Sequence, residues 1–110
     1  MRLSIIPVLL LTFVLAGCST AMAPPIVVNS ARAMEEEAAC IGTLFRTRLE
    51  LVRVANLRDG VEIVSVDQVG LIVARAEIRR VGRGSRVALE VRDFARYFYE
   101  DMVHRCAGTR

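Results

Sequence analysis

Two segments in the second half of the chain alternate between apolar and polar residues, the pattern of an amphipathic β-strand. Residues 72–78 are apolar at every second position, and residues 87–91 repeat the pattern after the turn-forming sequence Gly82-Arg83-Gly84-Ser85. Pairing of Ile78 with Val87 places both apolar rows on the same face, where a core can bury them. The sequence therefore predicts an antiparallel hairpin closed by that turn sequence.

The charged residues on the other face of this hairpin select one register. In the register set by the apolar residues, with a loop at residues 81–84, Arg75 lies opposite Glu90, which is an attractive pair. A shift of two positions would place Glu77 opposite Glu90, and these two carboxylates repel. The same shift would place Arg75 opposite Arg92, which is also repulsive. The charge pattern therefore favours the same register as the apolar pattern.

Two helices are predicted, one before the strands and one after them. The first is expected to begin at a cap formed by Asn29 or Ser30. The second is expected over residues 94–106, with Asp93 as its N-cap and Gly108 beyond its end. Each helix has an apolar stripe at intervals of three and four residues. The stripes comprise Met34, Ala38, Ile41 and Phe45 in the first helix, and Ala95, Phe98, Met102 and Cys106 in the second.

Between the helices, the sequence favours short strands separated by turns. A turn is expected at residues 56–60, with Gly60 taking the positive φ angle. The predicted fold class is α+β, a small antiparallel sheet of three to four strands flanked by an N-terminal and a C-terminal helix in the order α-β-β-β-β-α. A single domain is expected over residues 31–110. The predicted strands are residues 49–54, 61–66, 69–80 and 86–92.

The start of the sequence has a different pattern. Arg2 precedes an apolar run of about 14 residues, shorter than the ~20 residues that a membrane-spanning helix requires. The run ends in Leu15-Ala16-Gly17-Cys18. This arrangement resembles the signal peptide and lipobox of a bacterial lipoprotein, in which a basic residue, an apolar segment and small residues precede a lipidated cysteine. The alternatives are an ordinary cleaved secretion signal and an uncleaved anchor.

The resemblance implies that residues 1–17 are removed and that Cys18 is acylated with diacylglycerol and a fatty acid such as palmitate. Ser19 follows the cysteine, at the position where aspartate favours inner-membrane retention in such proteins. We therefore expect the periplasmic face of the outer membrane, with the inner membrane as the alternative. Residues 18–30 are expected to form a lipidated tether that reaches at most about 40 Å. Its apolar residues 26–28 are expected to pack against the domain or a partner.

Assignment of Cys18 to lipid leaves Cys40 and Cys106 as an even pair. The periplasm permits disulfides, so these two residues are expected to form one. Such a bridge would close a loop of about 67 residues and add roughly 4 kcal/mol to the free energy of unfolding. It would also require both helices to pack together on one face of the sheet. A redox-active pair is the disfavoured alternative, because the sequence contains no Cys-x-x-Cys motif.

Few residue patterns in the sequence are suited to catalysis. His104 is the only histidine, so a paired-histidine metal site within one chain is excluded. We expect this residue to contact the negative end of the last helix instead. No serine lies in a Gly-x-Ser-x-Gly motif, no glycine-rich phosphate loop precedes a helix, and the chain contains no lysine. No enzymatic activity, metal or cofactor is therefore predicted.

Two groups of residues are candidates for binding a partner. Four arginines near the hairpin could meet the phosphates of anionic lipid headgroups or of lipopolysaccharide. Their alternative role is a solvated hairpin end whose charge prevents edge-to-edge aggregation. One of Tyr97 and Tyr99 is expected to lie on the surface, because both cannot share the buried face with Phe98. The four arginines are Arg79, Arg80, Arg83 and Arg86.

These patterns together predict a non-enzymatic, lipid-anchored envelope protein. It would act as an interaction, assembly or accessory subunit, similar to a pilotin, that holds a protein partner near the membrane. The alternative is a binding module for an anionic envelope amphiphile or polymer that uses the arginine-rich hairpin. Removal of Arg2 with the signal lowers the formal net charge from +3 to about +2, which predicts no strongly charged partner. Nucleic acid is not expected to bind, because no basic-aromatic motif is present.

Overall fold

A computed structural model of the chain describes residues 22–48 and 51–108, which form an antiparallel sheet of five strands and two α-helices. The strands lie in the order β1-β5-β4-β3-β2. Both helices pack on one face of the sheet, and the opposite face is called the open face below. The elements are β1 (Ile26–Ser30), α1 (Met34–Phe45), β2 (Leu51–Leu57), β3 (Gly60–Val66), β4 (Ile72–Val81), β5 (Gly84–Val91), a 3₁₀ turn (Asp93–Ala95) and α2 (Arg96–Ala107).

The β4–β5 hairpin has the predicted register. Ile78 pairs with Val87, and Arg75 pairs with Glu90 across the open face. Pairing continues to Val81 and Gly84, so that two residues form the turn. The apolar row that faces the helices is fully buried, and it comprises Ala74, Ala76, Ile78, Val87, Leu89 and Val91.

The predicted number of strands, three to four, is wrong, because the described residues contain a fifth strand at the start of the domain. Residues 26–30, predicted as the last part of the tether, pair with β5 as β1. Val28 and Ser30 are buried, whereas Val27 points to the open face and is exposed. Ile26 and Val28 therefore pack against their own domain, as expected, whereas Val27 does not. The observed order is β-α-β-β-β-β-α.

The first helix begins later than predicted. Asn29 and Ser30 belong to the extended strand β1, so neither residue can cap the helix, and α1 begins at Met34 without a side-chain cap. The Ser30 hydroxyl instead donates a hydrogen bond of 2.9 Å to a carboxylate oxygen of Glu37. Glu37 is fully buried.

The second helix also differs at its start. A 3₁₀ turn occupies Asp93–Ala95, and Asp93 provides no side-chain cap. The predicted inward position of Phe98 is wrong: Phe98 is 47% exposed, and Tyr99 is buried in its place. The other predicted members of the stripe, Ala95, Met102 and Cys106, are buried, and Tyr99 lies on the same face because it follows Ala95 by four positions. Gly108, in the left-handed region with φ of 71°, ends the helix as predicted.

The disulfide between the helices is present. Cys40 of α1 and Cys106 of α2 are joined, with their Cα atoms 5.8 Å apart. Phe45 and Tyr99 make an edge-to-face contact between the same helices, with ring centroids separated by 4.8 Å. The predicted α+β fold, an antiparallel sheet with two helices that are joined by a disulfide, is confirmed at this level.

In two loops the structure differs from the prediction. In the β2–β3 turn Asp59, not Gly60, has the positive φ angle of 59°. Gly60 is required for a different reason: a Cβ atom there would lie 2.9 Å from the carbonyl oxygen of Ile78. Strand β4 begins at Ile72, later than predicted, because a carboxylate oxygen of Asp67 accepts hydrogen bonds from nearby backbone N–H groups and folds the preceding residues into a loop.

Candidate interaction surfaces

The sheet has two ends with different surroundings. At the hairpin end lie the turn between β4 and β5 and the start of α1. At the opposite end Met22 forms a β-bridge with Arg92, and the backbone N–H of Ala23 donates to the carbonyl of Val91 over 3.0 Å. We call this opposite end the Met22 end. Strand β5, with eight residues, separates the two ends by about 23 Å at ~3.3 Å per residue.

The hairpin end contains the four predicted arginines, but they do not form one free cluster. Arg79 donates to Glu77 over 2.6 Å and to the backbone carbonyl of Arg58 over 2.8 Å. It also lies opposite Arg86 in the sheet, which is a repulsive cross-strand pair. The arginines thus differ in how fully their charge is already compensated.

Arg80 points to the helix-covered face and reaches α1. Its guanidinium donates to a carboxylate oxygen of Glu35 over 2.5 Å. The pKa of Glu35 lies below its ordinary value. The larger cause is the hydrogen bond from the backbone N–H of Glu35 to its own carboxylate, and the second is the hydrogen bond from the Arg80 guanidinium. Within the described residues, Arg83 and Arg86 have no ion-pair partner and are exposed. Two of the four guanidinium groups are therefore available to an anionic ligand.

The two candidate tyrosines lie in different environments. Tyr97 is 80% exposed, whereas Tyr99 is fully buried. The Tyr99 hydroxyl lies 2.8 Å from the hydroxyl of Ser65 in a buried hydrogen bond. Tyr99 therefore cannot contribute to a binding surface, which leaves Tyr97 as the candidate of the pair. Tyr97 has the exposed position that the sequence predicted for one member of the pair.

An aromatic surface surrounds Tyr97 at the Met22 end. Phe94 is 61% exposed and Phe98 is half exposed. Tyr97 and Phe98 follow Phe94 by three and four positions, so the three side chains lie on the same side of this turn and helix. The rings of Tyr97 and Phe98 are in edge contact, with centroids 6.0 Å apart. The Arg48 guanidinium lies over the Phe98 ring, 4.4 Å from its centroid. We refer to Phe94, Tyr97 and Phe98 as the aromatic patch.

A groove of about 340 Å³ on the open face was not predicted from the sequence. Val64 and Val66 form its apolar floor and are buried despite facing away from the helices. Arg53 and Arg75 line it, and the Nε atom of Arg75 is 3.7 Å from a carboxylate oxygen of Glu62. One signal for the groove was available: Val64 and Val66 make one face of β3 apolar although Ile63 already supplies an apolar residue to the other face, which is unusual for a sheet with one solvated face.

The groove adjoins β2, one of the two edge strands of the sheet. Leu51 and Val54 on this strand are exposed, and Arg53 is its only charged residue. Arg53 has no ion-pair partner among the residues that the structure describes. Natural edge strands are commonly protected by several charges, by proline or by a covering element. Strand β2 is thus an apolar edge beside a cationic groove.

Other predicted features have different outcomes. The signal peptide, its cleavage after residue 17 and the lipidated Cys18 lie outside the described residues. In residues 22–48 and 51–108, no three His, Cys, Asp or Glu side chains are grouped so that they could hold a metal ion. No helix in those same ranges has the length and apolar character to cross a membrane. His104 lies near the end of α2, as predicted, with its Nε2 atom 3.8 Å from a carboxylate oxygen of Glu100.

Comparison of the chain with protein-family models, with curated proteins and with solved structures finds no match. Function must therefore be argued from the surfaces themselves.

Proposed function

We propose that this chain is a lipid-anchored, non-enzymatic adaptor of the bacterial envelope. In this proposal Cys18 carries the lipid, and the domain holds a protein partner on the periplasmic side of the outer membrane, as a pilotin-like accessory subunit would. The Cys40–Cys106 disulfide supports an oxidising compartment, which agrees with the lipobox. The observation that carries the adaptor role is the apolar edge of β2 beside the groove on the open face.

The edge and the groove together fit an extended segment of a protein partner. The segment would add a strand to β2 through backbone hydrogen bonds, because an edge strand presents unpaired N–H and C=O groups. Exposed Val54 and Leu51 would be covered by apolar side chains of the segment. A carboxylate of the segment would pair with Arg53, which is otherwise uncompensated in the described part of the chain. The proposed partner is therefore a protein with an extended, apolar and partly acidic segment.

Site-specific photo-crosslinking in intact cells tests this role. A photoreactive residue at Val54, 51% exposed on β2, is compared with one at Val27, 56% exposed on the other edge strand β1. We expect a discrete protein adduct at position 54, loss of that adduct with Arg53→Glu, and no matching adduct at position 27. The same adduct at both positions, or none at position 54, would reject β2 as the docking edge.

A second candidate function is the binding of an anionic amphiphile or polymer at the hairpin end. Arg83 and Arg86 favour it, because they are exposed and lack ion-pair partners within residues 22–48 and 51–108. The test replaces all four hairpin arginines with glutamine and measures capture of lipopolysaccharide by the lipidated protein in detergent. Loss of capture, with no adduct formed by the Val54 probe, would favour this function over the adaptor.

A further inference from the structure

The folded domain begins very close to the predicted lipid. Met22 is already bridged to Arg92, and Ala23 is buried and hydrogen-bonded to β5. Met22 lies four residues after Cys18 in the sequence. In any conformation, four residues span at most about 14 Å. The tether of at most about 40 Å predicted from residues 18–30 is therefore much too long, since most of those residues belong to the domain.

The surface beside this starting point is the aromatic patch. Arg92, the bridge partner of Met22, is followed by Phe94 after a single residue, and Tyr97 and Phe98 lie on the next turn. Aromatic side chains bury large apolar areas, and tyrosine adds a polar tip that suits the boundary between water and lipid. The patch thus has the chemistry of a membrane interface at the place where the chain meets the membrane.

The exposed apolar residues of the described ranges are distributed unevenly between the two ends. Five of the eight large ones are at the Met22 end, and the hairpin end has only Val81. Leu51 is at the Met22 end because it pairs with Val66, and Val69 is there because it lies in the loop from β3 to β4. The five are Leu51, Val69, Phe94, Tyr97 and Phe98.

We propose that the acylated domain rests on the membrane that holds its lipid, with the aromatic patch inserted at the interface and the arginine hairpin directed away from it. This inference rests on the proposed lipid anchor. Because the anchor keeps the patch at a high effective concentration near the bilayer, a weak contact is sufficient. The Arg48 guanidinium beside Phe98 can reach the headgroups while its stem stays with the ring.

Apolar contact, rather than charge, drives this docking. Arg96 is adjacent to Tyr97, but it is 3.5 Å from a carboxylate oxygen of Glu100, and the Asp93 carboxylate, next to Phe94 in the sequence, offsets the charge of Arg48 near Phe98. The local charges therefore largely compensate each other, and the contact should persist at high salt concentration. A protein partner could cover the same patch only by entering the short space between the domain and its anchor.

A single introduced tryptophan can measure this orientation, because the chain contains none. Mature lipidated protein with Tyr97→Trp or Val81→Trp is placed in vesicles of phosphatidylethanolamine and phosphatidylglycerol whose acyl chains carry bromine. Bromine quenches tryptophan fluorescence only at short range. We expect quenching several-fold stronger at position 97 than at position 81, with little change at high salt concentration.

The outcomes separate the inference from the anchor on which it rests. If Tyr97→Trp protein floats with the vesicles but is quenched no more than Val81→Trp protein, the docking proposal is overturned and the anchor stands. If the protein does not float, both are overturned. If the tryptophan at position 97 is not quenched and a photoreactive residue at the same position crosslinks to a protein, the patch is assigned to that protein instead.

A second substitution tests the patch without disturbing the core. Phe94→Ser in the Tyr97→Trp background removes an exposed ring, and we expect the quenching to fall towards the value at position 81. Val27→Thr, at a residue of similar exposure on β1, is the matched control and should leave the quenching unchanged. Equal effects of the two substitutions would overturn the role of the aromatic patch.

Discussion

The two ends of the sheet differ in the contacts that stabilise them and in the kind of side chain that they expose. At the hairpin end, ion pairs and polar contacts predominate, including Arg80 with Glu35 and the Ser85 hydroxyl with the carbonyl of Arg32. At the Met22 end, aromatic rings fill the core, and further rings remain on the surface. Charged groups at a surface are satisfied by water, whereas contact of an exposed ring with water is unfavourable and raises the free energy. The Met22 end therefore carries the exposed surface that would gain most from being covered.

This difference changes how the arginines are interpreted. From the sequence they were candidates for contact with headgroups, but β5 separates them from the Met22 end by about 23 Å. If the aromatic patch lies on the membrane, the hairpin faces the periplasm. The second candidate function then requires an anionic molecule that does not belong to the anchoring membrane.

Removal of the disulfide should have the largest effect on stability, because it connects the helix that starts at the hairpin end with the helix that starts at the Met22 end. For Cys40→Ala with Cys106→Ala we expect the free energy of unfolding to fall by roughly 4 kcal/mol, since the long loop is no longer closed in the unfolded chain. Urea unfolding of the mature protein measures this change.

Reduction of the parent protein is the control for the double substitution, and it should give a similar loss. A decrease below about 1 kcal/mol would mean that packing alone holds the helices and that the disulfide adds little constraint. Titration of the folded parent protein should find neither Cys40 nor Cys106 as a free thiol.

Tyr99→Phe should have a smaller effect, confined to the core at the Met22 end. The substitution keeps the ring against Phe45 but removes the buried hydrogen bond to Ser65, so we expect a loss of about 1 kcal/mol. Tyr97→Phe is the matched control and should leave the free energy of unfolding unchanged, because Tyr97 is on the surface. Equal effects of both substitutions would contradict the different environments of the two tyrosines.

The sequence patterns predicted most accurately those features that a single rule determines. The β4–β5 register followed from apolar alternation and from the pairing of Arg75 with Glu90. The disulfide followed from the removal of one cysteine from a set of three. Few other strand registers satisfy both the apolar and the charge pattern, and no other pairing of the two remaining cysteines is possible within one chain.

The errors arose where a short segment had two local solutions. Asn29 and Ser30 are good helix caps, yet they also continue a β-branched apolar run, and pairing with the free edge of β5 decided the outcome. Phe98 and Tyr99 follow Ala95 by three and four positions, so helical spacing alone allowed either ring to be the buried one. The groove depends on side chains from three strands and one loop, and no local pattern specifies their arrangement.

The smallest predicted effect is a pH dependence at the hairpin end. The pKa of Glu35 is lowered in the folded protein, so its ionised carboxylate stabilises the fold above its unfolded-state pKa, and this contribution is lost as the pH falls through the lower, folded-state pKa. Glu35→Gln should therefore reduce the free energy of unfolding slightly at neutral pH and leave it unchanged in acid. The reduction is small because both partners of the Arg80 pair are exposed. Glu36→Gln, at an exposed neighbour, is the control, and an equal effect of Glu35→Gln at every pH would show that the ion pair is not its cause.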